Sequence, residues 1–149
     1  IAVVGTAMTG GILYNPIGSG KKLILLDAGW AWTTVSGAVH SIGLAMGAVS
    51  IVVPASTSVA TTAVQCADGS GTAGVAKYYD TATLPAANVA VRWFSGANWL
   101  TTGTGQHPYK ILDNIDGEVS VAPGATLSFV CVGTVPVGLS SMTWIEADL

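Results

Sequence analysis

The chain has 149 residues, of which 50% are hydrophobic and only 9% charged, with a formal net charge of −3. An ordinary soluble domain carries about 25% charged residues, so a monomer of this composition exposes small and apolar side chains with little charge to keep copies apart. Its five basic residues (Lys21, Lys22, Lys77, Arg92 and Lys110) are scattered and build no phosphate-tracking stripe, which excludes nucleic acid as the expected partner.

In chain order, Ile1–Gly11 lacks the basic start and apolar run of a secretory signal, and the opening on Ile1 leaves room for an N-terminal arm before it. Gly11–Tyr14 reads as a strand running into the turn cluster Asn15-Pro16-Ile17-Gly18-Ser19-Gly20. Lys21–Trp32 is predicted as a long strand with Gly29 as its bulge or bend. The most apolar stretch, Ser41–Ala55, is shorter than the roughly 20 residues of a spanning helix and has no basic flank, so no membrane partner is expected. It divides into predicted strands at Ser41–Gly47 and Ala48–Val53. Ala63–Ala67, Lys77–Tyr79 and Asn88–Phe94 follow as strands, with a loop over Asp68–Gly74. Ile111–Leu112 and Gly117–Val121 bracket Asp113–Asp116, with Asp116-Gly117 as a hairpin-turn pair. Ala122-Pro123-Gly124-Ala125 is a turn. Thr126–Val132 places Leu127, Phe129 and Cys131 on one face, and Ser140–Glu146 places Met142 and Trp144 on one face and Thr143 and Ile145 on the other.

Gly and Pro recur too often, and Glu, Lys, Gln and Arg are too few, for amphipathic helices. Short strands divided by turn clusters predict an all-β fold: one antiparallel β-sandwich domain, jelly-roll-like, over residues 1–149.

Few residues combine into chemistry. Gly18-Ser19-Gly20-Lys21-Lys22 fails as a phosphate loop, because Asn15 stands where its first Gly belongs and Lys22 where Ser or Thr should follow. His40 and His107 are the only histidines and no serine sits in a nucleophile elbow, so no catalytic residues and no enzyme activity are expected. Two isolated histidines and two isolated cysteines make no zinc site, and Cys66 and Cys131 read as buried thiols. The acidic run Asp113–Glu118 lacks the spacing of a calcium loop, so neither metal nor cofactor is predicted. Trp30 and Trp32 share one strand face, Trp93 and Phe94 point opposite ways, and Trp99 lies in a loop beside Asn98 as the candidate glycan or interface aromatic.

The segments Leu13–Lys21 (LYNPIGSGK), Asp116–Gly124 (DGEVSVAPG) and Trp144–Glu146 (WIE) resemble small virion structural proteins of tailed bacteriophages. The likeness covers both ends of the chain and leaves Ser50–Gly105 uncovered. It implies a β-sandwich of the virion, either a capsid decoration or cement protein or a fibre base. A homo-oligomer, usually a trimer, would contact other virion proteins such as the major capsid protein. The alternative is a glycan- or receptor-binding β-sandwich module, at a fibre tip or secreted.

Overall fold

A computed structural model describes residues 2–3, 9–33, 40–50, 55–58, 74–83, 88–97, 110–133 and 138–149. Its strands are β1 (Ala2–Val3), β2 (Thr9–Tyr14), β3 (Lys21–Trp32), β4 (His40–Gly47), β5 (Ala55–Ser58), β6 (Lys77–Thr83), β7 (Val89–Ala97), β8 (Lys110–Asn114), β9 (Ser120–Val121), β10 (Thr126–Gly133) and β11 (Gly138–Asp148). The larger sheet has the order β5-β6-β2-β10-β4-β7, with β1 alongside β10; the smaller is β11-β3-β8, with β9 also against β3. Every pairing is antiparallel except β1 with β10. Two such sheets packed face to face make the expected antiparallel β-sandwich. No helix among the described residues is long and apolar enough to cross a membrane.

The interlayer core follows from period-2 alternation. Leu13, Ile42, Leu44, Leu127 and Phe129 from the larger sheet meet Leu23, Leu25, Ala28 and Trp30 from β3. Met142 and Trp144 of β11 and Phe94 of β7 pack at the margin, as the alternation predicts. The inward series on β3 changes phase, since Leu25 and Ala28 are three apart. A β-bulge accounts for this: Thr143 pairs with Asp27 and Trp144 with Leu25, so Leu26 is the extra residue. Were Leu26 to keep strict alternation instead of bulging, Asp27 and Gly29 would point into the core in place of Ala28 and Trp30. The irregularity thus lies at Leu26, not at Gly29. Gly29 is regularly paired with Ser141 and Leu112, and a Cβ there would come within 2.8 Å of Ser141 Oγ.

Two other expectations change. After Gly47 the chain leaves the sheet, and Ala48–Ser50 is irregular, the Ser50 amide donating to Gly124 O at 3.1 Å. Asp116-Gly117 forms a tight turn with both residues at positive φ (49° and 84°), closed by Glu118 N to Ile115 O at 3.0 Å. It does not reverse the chain between paired strands, because β8 and β9 run in one direction along the same edge of β3. Their registers differ by three residues, so the turn is an excursion in one interrupted strand. In addition, the middle of the larger sheet is buried on both faces. Ile12, Tyr14, Ala45, Tyr79 and Val130 form a second apolar cluster on its outer side, with Ser128 buried beside them. β10 therefore reads as a nearly continuous apolar run, like any strand buried on both faces. The predicted strand Ala63–Ala67 lies outside the described residues.

Candidate functional site

Asn15 organises one end of the sandwich. It is fully buried, and its Nδ2 donates to Lys21 O at 2.8 Å and Val121 O at 2.9 Å. Its Oδ1 accepts from Ser19 Oγ at 2.8 Å, its backbone N–H donates to Ala125 O, and its carbonyl accepts from Gly124 N–H. Gly124 holds φ +83°, which only glycine adopts freely, with Val49 and Ile17 packed over it. The LYNPIGSGK and DGEVSVAPG turns, about a hundred residues apart in sequence, are thereby one hydrogen-bonded unit. The sequence marks each as a turn, but nothing in it pairs them.

Polar contacts close both long sides of the sandwich. On one, Arg92 of β7 reaches across to Asp113 of β8 at 2.5 Å and to Glu118 in the excursion. These two hydrogen-bonded carboxylates, Asp113 first, push the Arg92 pKa further up. A guanidinium thus occupies the place beside the acidic run where a cation would have sat. Among the described residues no group of three or more His, Cys, Asp or Glu could hold a metal ion. On the other side, the Glu146 carboxylate accepts from Val75 N–H at 3.0 and 2.8 Å and from Ala76 N–H at 3.0 Å. Tyr78 and Ser140 hydroxyls meet at 2.9 Å. Gly74, at φ +55°, leaves room for that carboxylate: a Cβ there would overlap it.

The residues singled out from the sequence do not converge. Trp99, His107 and Cys66 lie outside the described residues. His40 opens β4, paired with Gly133 and Ala97. Lys21 pairs with Asp148 at 2.5 Å and Lys22 is exposed; the turn before them is not the hairpin that its Gly and Pro suggest, because β2 belongs to the larger sheet and β3 to the smaller. Cys131 is a free, buried thiol whose pKa burial pushes up. Trp30 is core, its ring 5.8 Å from Phe129, and its Nε1 has no hydrogen-bond partner. Phe94 faces inward against Phe129 at 5.9 Å. Trp93 faces outward, 44% exposed, with its indole over Gly43.

The feature that sequence reasoning left without a role is the outer face of the smaller sheet. Leu139 and Ile145 of β11 and Leu112 of β8 stand there at 69%, 52% and 61% exposure. Between them run Gly29, Ala31, Ser141 and Thr143. By register, the charged positions on this face are Lys22, Asp27 and Lys110. Single exposed apolar residues are ordinary, but three large ones on one sheet face make it the candidate interaction surface. The signal was present: Ile145 sits opposite in phase to Met142 and Trp144.

Family models, characterised proteins and solved structures give no match to this chain.

Proposed function

We propose that the protein is a structural component of a bacteriophage particle, a capsid decoration or fibre-base sandwich that works by self-assembly and not by catalysis. The observation that carries the self-assembly is the open apolar face of the smaller sheet, on a chain with too little charge to keep such faces apart. Burying it in a permanent subunit interface removes the exposure, since such interfaces are more apolar than ordinary surface. The virion assignment rests on the three turn and strand motifs. The structure gives two of them a shared task at Asn15, which accounts for their occurrence together in one chain. The resemblance implies a trimer and contacts with the major capsid protein.

Two measurements test the reading. Sedimentation or native mass of the purified protein should give a closed oligomer at micromolar concentration; a stable monomer there refutes self-assembly. Quantitative proteomics of purified particles should find the chain, in hundreds of copies for a decoration protein and in a few for a fibre base. Its absence from particles refutes the virion role.

A second reading, glycan binding, has Trp93 in its favour as well as Trp99. An indole with one face over Gly43 and the other toward solvent suits sugar stacking. Glycan-array binding lost in Trp93→Ala or Trp99→Ala favours it, and an empty array removes it.

A further inference from the structure

The two wide faces of this sandwich differ. The outer face of the larger sheet buries Ile12, Tyr14, Ala45, Tyr79 and Val130 at its middle and exposes Trp93 and Val132 toward one end, whereas the outer face of the smaller sheet leaves Leu112, Leu139 and Ile145 more than half exposed. At about 4.8 Å between strands and about 3.3 Å per residue, three strands along the 11 residues of β11 present a face of about 14 by 36 Å, or about 500 Å². Two such faces together bury about 1,000 Å², the lower bound for a specific interface.

The pattern along β11 is self-complementary. Its outward series is Leu139, Ser141, Thr143, Ile145, large at both ends and small in the middle. A two-fold axis crossing between Ser141 and Thr143 brings Leu139 of one copy over Ile145 of the other, twice, and sets Ser141 against Thr143. On β3 the same axis, level with Ala28, sets Gly29 against Asp27, giving the one central carboxylate the smallest neighbour on the face. This is the isologous arrangement in which residue i meets j and j meets i.

We propose that the outer face of the β11-β3-β8 sheet is a self-association surface whose occupant is the same face of a second copy, packed sheet on sheet about a two-fold axis. The proposal rests on the self-assembly reading above and specifies its contact. A two-fold contact closes on itself, so by itself it yields a dimer; a trimer requires a different, unlike contact.

The test is sedimentation velocity with native mass, on the full chain and on Leu139→Lys, Ile145→Glu and the double variant. The 15.0 kDa chain is expected at about 30 kDa, twice its mass. Each single variant should weaken association by about 30-fold or more, because the two-fold axis repeats each substitution at both Leu139–Ile145 contacts, with far-UV circular dichroism unchanged. The double variant should dimerise again, because its Lys and Glu meet across the axis. A monomeric parent overturns self-assembly and this contact with it. An oligomer unaffected by either single substitution overturns the contact and leaves self-assembly standing. Single variants that dissociate without rescue in the double variant overturn the two-fold register. A fall in monomer melting temperature, with no change in mass, shows that a segment of this chain covers the face and overturns the proposal.

Discussion

Replacing Asn15 by Asp changes one atom in a fully buried side chain and reverses its hydrogen-bonding capacity toward two carbonyls. Asn15 Nδ2 supplies the donors to Lys21 O and Val121 O, and a carboxylate supplies none. Each orphaned buried acceptor costs about 1–3 kcal/mol, so Asn15→Asp should lose about 2–6 kcal/mol at pH 7, a large share of the about 5–15 kcal/mol typical of a domain. The loss has a signed pH dependence. Burial among carbonyls raises the folded-state pKa of the new Asp above its unfolded value of about 3.9. The folded state then holds more protons than the unfolded state through that window. Stability of the variant relative to the parent therefore falls as pH rises from about 4, and levels off above the folded pKa. At pH 4 and below the protonated acid donates one hydrogen bond and part of the loss is recovered. Urea denaturation followed by tryptophan fluorescence at fixed protein concentration, at pH 4 and 7, measures both terms. A variant within 0.5 kcal/mol of the parent at pH 7, roughly the ordinary effect of a surface substitution, refutes the role given to Asn15. So does relative stability that rises with pH.

Gly74→Ala should destabilise by about 1–3 kcal/mol, because a side chain is strained at φ +55° and its Cβ displaces the Glu146 carboxylate; thermal melts of this variant and of Glu146→Ala should show overlapping, non-additive losses. Trp30→Ala should cost about 3–5 kcal/mol as a core truncation and Trp93→Ala less than about 1 kcal/mol, a ranking that urea titration reads directly. In a Cys66→Ser background, Cys131 should resist a thiol-reactive chromophore at pH 8, where burial keeps it protonated, and label only once urea unfolds the chain.

Much of the fold was legible because alternation is a local signal. Leu127 and Phe129, and Met142 with Trp144, face the core as their spacing requires. What escaped depends on partners distant in sequence. The Leu26 bulge is visible only through its pairing with β11, and Gly29 drew the expectation because a lone Gly in a strand is the usual marker of irregularity. Asp116-Gly117 has the chemistry of a hairpin turn and adopts its geometry, yet which strands flank it is decided by β3. The acidic run Asp113–Glu118 gave no hint of its counter-ion, since Arg92 arrives from the opposite sheet. Asn15 was readable as a turn residue and not as a hub, because Val121, which its side chain reaches, is 106 positions away, with Gly124 and Ala125 farther still.

The order of the strands also governs when this molecule can fold. β10 sits inside the larger sheet between β2 and β4, and β3 is held by β8, β9 and β11. Leu13 waits for Leu127, and Lys22 for Ala147. A ribosome adding about 5–20 residues per second therefore makes Leu127 about 6–23 s after Leu13, and β2 waits that long, poor in charge, for its partner inside the sheet. Folding is in effect postponed until β10 and β11 emerge, and such non-local topologies fold slowly in any case. Loss of β11 would strip β3 of one whole edge, so chains that stop short of it are the species most prone to aggregate.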